Sequence, residues 1–292
     1  MNDFSRLDFE GLWKDREKVT EVECGILKSM LRGKKGGRAL EAGAGKGRLT
    51  SNLNGSFSEY FALDAVPAFL EEMKCGNGKG KVVRVNADLY RTPFRNNSFD
   101  TVIMVRVLNF LKHPDKALKE FHRLLRPGGT AILSYYHKGS FVLVVDKFKA
   151  MGNGNDRQPK IASRELRPVL CSPFEEYFYS RSHVSNLASE AGLTVESVRS
   201  CGLEDYSPFS RLPASLFIRA SGMPNPLGMI PHSFVSLKKA AGDELPVDSV
   251  EEVMACPDCH SEIEFESICS GPMSACRNCG HRFEYRKGVI RV

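Results

Sequence analysis

Three glycines at alternate positions, Gly43, Gly45 and Gly47, follow the acid Glu41 in the stretch Leu40-Glu41-Ala42-Gly43-Ala44-Gly45-Lys46-Gly47. Glycine there lets the backbone turn sharply and approach a ligand with no side chain in the way. A helix beginning near Arg48-Leu49 would add free N–H groups and a positive dipole end. Asp64 stands twenty-one residues past Gly43. A carboxylate there can accept two hydrogen bonds from ribose hydroxyls and would repel a 2′-phosphate. A second chemistry lies near the C-terminus. Cys256-Pro257-Asp258-Cys259 and Cys276-Arg277-Asn278-Cys279 are two C-x-x-C knuckles separated by sixteen residues. Four thiolates can reach the corners of a tetrahedron, which suits a closed structural zinc site; two disulfides are the alternative. Cys24, Cys75, Cys171, Cys201 and Cys269 follow no such pattern.

These residues need elements to position them. Gly37-Arg38-Ala39 leads into a short buried strand that ends at the glycines. Tyr60 to Leu63 reads as a second strand with Asp64 at its carboxyl end. Lys81 to Val85 reads as a third, followed by Asn86-Ala87-Asp88-Leu89. The turn Asn96 to Asp100 opens the apolar run Thr101 to Val105. Pro114 to Leu125 has helical spacing, with Ala117, Leu118, Phe121, Leu124 and Leu125 on one face. Arg126-Pro127-Gly128-Gly129 reads as the stop before a strand at Thr130 to Tyr135. Further on, Ser182 to Ala191 reads as a helix ended by Gly192, with strands at Thr194 to Ser200 and Ser215 to Ala220. Phe4 to Leu31 reads as one or two leading helices carrying Leu12, Trp13, Val19, Ile26 and Leu27. The predicted class is α/β: a Rossmann-like sheet with helices on both faces, plus a small C-terminal zinc-ribbon domain.

A nicotinamide fingerprint would require glycine at position 48, where Arg48 stands. The tighter G-x-G-x-G spacing after Glu41 resembles motif I of the class I S-adenosylmethionine (SAM) methyltransferases. The order Phe99-Asp100, then Leu125-Arg126-Pro127-Gly128-Gly129, resembles a further hallmark of them. The resemblance spans residues 38 to 135 and is to the methyltransferase-11, UbiE-like type. It implies SAM as cofactor, with Glu41, Gly43, Gly45 and Gly47 at the loop and Asp64 on the ribose. It further implies Asp88 and Leu89 at the adenine, and Val105 and Arg106 beside the methionine moiety. Taken singly, Asp64 also reads as a helix cap and Asp88 as a turn acid.

From about Met254 the tail resembles the small zinc-ribbon proteins that bind and activate tRNA, rRNA and release-factor methyltransferases. It shares the paired knuckles and Gly280 after the fourth cysteine; Ile290 stands where proline is usual. The resemblance implies structural Zn2+ on Cys256, Cys259, Cys276 and Cys279, and an activator fused in cis. The expected organisation is a methyltransferase domain over 1–220 with a substrate lid near 137–180, a linker over 221–250, and a zinc ribbon over 251–292.

The acceptor is less constrained. Val105-Arg106-Val107-Leu108-Asn109 lacks the N/D-P-P-Y of amino-group methylases, and Phe110 replaces the histidine of the quinone-type V-L-x-H. His137, after Tyr135 and Tyr136, is the acceptor-side candidate; Arg16 is the candidate for the methionine carboxylate. No general base is assigned. The expected function is methyl transfer from SAM to RNA or a translation-related protein, the direction in which the ribbon points. A small-molecule acceptor is the alternative, and a non-catalytic SAM-fold binding protein is the reading from another class.

Length and composition agree with one sizeable core and an appendage: 292 residues, 42% hydrophobic. The net charge of +6 is uneven. Residues 256–292 carry five basic and five acidic residues, and the excess lies before residue 221. Clusters at Arg32, Lys34, Lys35 and Arg38, and at Lys147, Lys149, Arg157, Lys160, Arg164 and Arg167, could attract phosphates or simply be a solvated face. The longest apolar run, Phe141 to Val145, is too short to span a bilayer, so no membrane partner and a cytoplasmic location are expected.

Overall fold

The computed structural model describes residues 11, 13–34, 36–75, 82–141, 176–206, 209–225, 227–242, 247, 249, 251–269 and 271–292. Helix α1 (Glu17–Met30) precedes β1 (Arg38–Ala42), the glycine loop and the short α2 (Thr50–Leu53). Then come β2 (Glu59–Asp64), α3 (Pro67–Glu71), β3 (Val82–Asn86), β4 (Phe99–Met104) and α4 (Pro114–Leu124). After these lie β5 (Leu125–Tyr136), α5 (Arg181–Glu190), β6 (Leu193–Cys201), α6 (Ala214–Ala220) and β7 (His232–Lys239). The C-terminal part holds α7 (Phe265–Cys269), β8 (Met273–Ala275), β9 (Arg282–Arg286) and β10 (Val289–Arg291).

The ten described strands form one sheet in the order β6-β7-β5-β4-β1-β2-β3-β10-β9-β8. Strands β1 to β5 pair in parallel, with Glu41 opposite Ala62 on one side and Ile103 on the other. Parallel order puts every carboxyl end, and so the glycine loop and Asp64, on one edge. Alternation along each strand divides the core. Leu40, Phe61, Val102 and Leu133 meet α4 and α5 on one face. Ala39, Tyr60, Ile103 and Ile132 meet α1 on the other. Phe61, Phe94 and Phe99 pack edge to face at 5.0–5.6 Å between ring centres.

Three expectations are corrected. The seventh strand is His232–Lys239, inside the segment 221–250 read as a linker, and it lies antiparallel between β5 and β6. The four prolines of the segment 221–250 and the strand's interleaved serines disguise it, because Ser233 and Ser236 are themselves buried. Lys239 is buried too, its Nζ donating to Asn97 Oδ1 (2.8 Å) and to the Leu125 carbonyl (2.9 Å). Conversely, Ser215 to Ala220 is not a strand but lies in α6, preceded by Pro213. Phe217 and Ile218 are turned against α1, where Ile218 Cδ1 occupies the space a side chain at Gly25 would need. Arg126 to Gly129 likewise belongs to β5, which begins with a bulge against Phe99 and Thr101 and has Gly128 at φ +73°.

The ribbon continues the sheet. Strand β10 pairs in parallel with β3, setting Val289 opposite Arg84, Ile290 opposite Val85 and Arg291 opposite Asn86. Backbone bonds from Arg95 N to Val253 O (2.9 Å) and from Ala255 N to Pro93 O (3.0 Å) fasten it a second time. Met254, Cys256, Phe283 and Ile290 join the core cluster of Phe61 and Phe94.

Candidate functional site

The glycine loop is built as its spacing predicts. Gly43, Gly45 and Gly47 all have positive φ (+78°, +55° and +84°). A Cβ at Gly43 would lie 2.2 Å from Val107 Cγ2, and one at Gly47 would lie 2.9 Å from the Lys74 carbonyl oxygen. Any side chain there is thus excluded by both conformation and contact. Gly43 N and Ala44 N both donate to the Leu63 carbonyl (2.8 and 3.0 Å), tying the loop to the end of β2.

Asp64 closes the loop. Its Oδ2 accepts from Gly45 N (2.8 Å) and its Oδ1 from Val66 N (2.9 Å). The Ala65 amide adds a third backbone hydrogen bond, and the carboxylate, with about four acceptor sites, keeps capacity for a ligand hydroxyl. Burial pushes its pKa up, against the pull of the Val66, Gly45 and Ala65 amides. The Asn86 side-chain amide donates to the Asp64 carbonyl (2.9 Å), joining the ends of β2 and β3. Beyond β3, Asp88 is exposed and its Oδ1 accepts from Tyr90 N (2.9 Å), an Asx turn, while Leu89 is buried. Glu41 faces inward, beneath the loop. It is 3% exposed and its Oε2 accepts from Thr50 Oγ1 (2.6 Å) and Tyr60 OH (2.8 Å). It therefore anchors the helix after the loop from beneath. Burial raises its pKa to about 7, opposed by those hydrogen bonds.

At the end of β4, Val105 is buried and Arg106 takes φ +60°, with its N–H donating to Ser134 Oγ (2.9 Å). Its guanidinium enters a cluster that reading the sequence did not reveal. Arg106 Nε donates to Glu23 Oε1 (2.7 Å), and a terminal nitrogen donates to Tyr136 OH. Arg48 pairs with the other Glu23 oxygen (2.7 Å) and lies 3.7 Å from the centre of the Trp13 ring. His232 completes it, with Nδ1 3.4 Å from Glu23 and 3.8 Å from Cys201 Sγ. Burial would push Glu23 up, but Arg106, Arg48 and His232 together hold it well below the usual carboxylate range. Burial, with Arg106 adding to it, depresses His232 to about 4, so it is neutral. Two guanidiniums around one carboxylate leave one net positive charge beside the loop. One signal was available: Glu23 is an acid on the stripe of Val19, Val22, Ile26, Leu27 and Met30 that α1 buries.

His137, the acceptor-side candidate, is held as a pin. Its Nδ1 accepts from Gly139 N (3.0 Å), its N–H donates to the Pro231 carbonyl (2.8 Å), and its ring fills the space over Gly228. Burial and Lys138 lower its pKa. The structure thus gathers Gly43, Gly45, Gly47 and Asp64 into one loop, with the Arg106 cluster at the neighbouring strand ends. Arg16 accepts from Thr20 through its carbonyl at the start of α1, and its charge acts on the Tyr136 phenol. The lid residues 142–175, with Phe174 and the second basic cluster, lie outside the described residues, as do Phe4 and Leu12.

In the ribbon, the four Sγ atoms of Cys256, Cys259, Cys276 and Cys279 lie within 4.8 Å of one another. Cys256 to Cys279 is 3.5 Å and Cys259 to Cys276 is 3.6 Å. Four sulfurs at about 2.3 Å from a common tetrahedral centre would be separated by much the same distance. The knuckles match: His260 N donates to Cys256 O (2.8 Å) and Gly280 N to Cys276 O (2.9 Å), with positive φ at both His260 and Gly280. His281 Nδ1 lies 2.9 Å from Asp258 Oδ2, at hydrogen-bonding distance from that carboxylate.

Comparison with known proteins agrees with this arrangement. Residues 40–133 match the model of the methyltransferase domain family Methyltransf_11. The ubiquinone/menaquinone biosynthesis C-methyltransferase UbiE of Pseudomonas paraeruginosa is 30% identical over 160 residues, covering 51% of this chain and 57% of that protein. The chain thus spans little more than half the length of that relative. Among solved structures, a SAM-dependent methyltransferase from Thermotoga maritima, described as a possible histamine N-methyltransferase, superposes with a TM-score of 0.54 at 19% identity. It covers 81% of this chain and 97% of that one. The Haloferax volcanii complex of the Trm112 methyltransferase activator with a putative methyltransferase gives 0.51 at 17%, covering 82% and 98%. The fold is that of the class I SAM-dependent methyltransferases.

Proposed function

We propose that this chain is a SAM-dependent methyltransferase whose acceptor is a small molecule. The observation that carries the reading is the loop of three left-handed glycines closed by the Asp64 carboxylate. It is a cradle with no Cβ, beside an acid with unused lone pairs. When bound, SAM supplies a methyl carbon on a positively charged sulfur, so the protein has to bind, align and exclude water. Asp64 accepts the ribose hydroxyls, Asp88 and Leu89 border the adenine, and the backbone at Val105 and Arg106 borders the methionine end. Cys256, Cys259, Cys276 and Cys279 hold Zn2+ as a structural ion that keeps the ribbon folded on β3.

For the acceptor, the UbiE relative favours a small molecule. Arg106 supports this by filling the position of the amino-group methylase motif with a partly buried cation. Its guanidinium and the Tyr136 phenol are suited to orient an oxygen-bearing acceptor. A macromolecular acceptor is the second reading, favoured by the ribbon's attachment at β3 and by the likeness to a methyltransferase that binds a separate activator.

Radiolabelled SAM offered with fractionated cell extract to the zinc-loaded protein decides between them. Label in a low-mass fraction, absent with Asp64→Ala, supports the first reading. Nuclease- or protease-sensitive label supports the second. Absence of both label and SAM binding sinks the enzyme reading and leaves a non-catalytic binding protein.

A further inference from the structure

Asn109 closes the stretch after β4 that lacks the amino-group methylase motif, and it is 0% exposed. It sits in the short 3-10 helix Leu108–Phe110. Its side chain bonds two segments distant from each other in the chain. Oδ1 accepts from Tyr136 N (3.1 Å), and Nδ2 donates to the Tyr177 carbonyl. Its own carbonyl accepts from Tyr177 N (2.7 Å). A backbone N–H on one side and a backbone C=O on the other call for an oxygen and an N–H on one group. A carboxamide supplies both; a carboxylate lacks the donor and an aliphatic side chain lacks both.

These bonds stand where the sheet ends. Strand β4 pairs with β5 only as far as Met104 opposite Leu133, short of Tyr136. Asn109 takes over there as the partner of Tyr136 N and receives the chain again at Tyr177. From that point residues 176–179 run alongside the end of β5. Tyr179 N donates to the Tyr136 carbonyl (3.0 Å), Lys138 N to the Tyr179 carbonyl (2.9 Å), and Tyr179 OH to the Leu108 carbonyl (3.1 Å). Tyr177 and Tyr179 are buried, whereas Glu176 and Phe178, on alternate positions, are partly exposed. The Phe178 ring lies 5.8 Å from that of Tyr136, and Glu176 acts electrostatically on the Tyr136 phenol. The Tyr136 OH in turn accepts from Arg106. One buried amide thus fixes the backbone of Tyr136 on one side and the backbone next to Phe178 on the other. A displacement of about 1 Å in groups that align a reactant can cost about 100-fold in rate.

We propose that Asn109 is a positioning residue of the acceptor site, holding Tyr136 and Phe178 in the geometry in which Tyr136 and Arg106 align the acceptor. It acts through those side chains and touches no reactant itself. The inference rests on the proposed function, in which the ends of β4 and β5 receive the acceptor. Cofactor binding is set apart from it, because Asp64 is held by Gly45, Val66 and Asn86.

The test is labelling from radiolabelled SAM by the zinc-loaded full chain, at graded dilutions of the extract fraction that the wild-type protein labels, beside calorimetric binding of SAM. Asn109→Asp keeps the partner of Tyr136 N and sets a second oxygen against the Tyr177 carbonyl. At about pH 8 it should need roughly tenfold more of the fraction for half-maximal labelling, with the Kd for SAM changed less than about twofold. Burial raises the pKa of a carboxyl, and once protonated its O–H replaces the lost donor. Labelling by Asn109→Asp relative to wild type should therefore recover toward about pH 6, while Asn109→Leu stays low. Phe178→Ala, at a partly exposed position that the fold tolerates, should need about threefold more of the fraction. Tyr179→Phe removes the bond to the Leu108 carbonyl and leaves every bond of Asn109 in place; it should need no more than wild type. Equal requirements for Asn109→Asp, or for Phe178→Ala, and wild type overturn the proposal. A matching loss in Tyr179→Phe, or a rise in the SAM Kd as large as the loss of labelling, also overturns it and assigns Asn109 to stability alone. Absence of label from the wild-type protein in every fraction would remove the proposed function and the acceptor role of Asn109 with it.

Discussion

The two flanks of the sheet are held by opposite means. On the β5–β7 side, α1 is joined to the strand ends by buried Glu23 and His232 with the partly buried Arg48 and Arg106. On the β3–β10 side, the ribbon is joined by a main-chain ladder and by ion pairs at the surface, among them Arg95–Glu262 and Lys287–Glu71. Within the ribbon, four thiols converge on one point. A backbone ladder tolerates most side chains, whereas a buried charge cluster tolerates almost no loss of a partner. The first flank should therefore fail through single residues, and the second through loss of the zinc proposed for its four cysteines.

The largest effect expected follows from that contrast. Chelating the metal, or Cys256→Ser, should remove amide-exchange protection across residues 251–292 and at β3, leaving α1 and β4 protected, because structural zinc contributes on the order of 10 kcal/mol to small ribbons. Uniform loss of protection across the chain would show that the two flanks are not separable. Next comes Glu23→Ala, which leaves Arg48 and Arg106 without their carboxylate. Urea unfolding should register a loss of about 3–5 kcal/mol, and a loss under 1 kcal/mol would mean that water already screens the cluster.

A pH effect is expected between these two flanks, at Glu41. Its folded pKa, raised to about 7, exceeds the ordinary value of 4.5. Its contribution is thus fully present below about pH 4.5 and is lost as pH rises through 7. Glu41→Gln should stabilise the protein by about 2–3 kcal/mol at pH 8, a gain that shrinks toward pH 5. A gain independent of pH would assign the effect to packing. The smallest change is expected for Arg95→Ala, whose partner Glu262 is mostly exposed. It should cost at most about 1 kcal/mol, and a larger loss by urea unfolding would show that side chains, and not the β10 ladder, hold the ribbon.

What could be read in the chain differs between these regions for the same reason. The glycine loop, Asp64 and the cysteine knuckles are local: their spacing alone states the geometry they need. The parallel strands β1 to β5 were legible because they are apolar along their length. Strand β7 was not, since Ser233, Ser236 and Lys239 are polar residues that became buried only because β5 and β6 close over them. Helix α6 was misread because a run of Leu-Phe-Ile states apolarity without stating which neighbour it meets. The Glu23 cluster draws on α1, the residue after the loop, β4, β5 and β7, and no local pattern contains all five.

The sequence by itself determined the α/β class, the left-handed glycine turn, the acid at the end of β2 and the grouping of four cysteines. Each depends on short-range backbone sterics or on spacing within one turn. Only the tertiary structure decided that the ribbon would extend the sheet through β10, that His232 would stay neutral between two arginines, and that Glu41 would face inward. Those outcomes depend on desolvation and on partners distant in the chain, and burial is a property of the assembled fold.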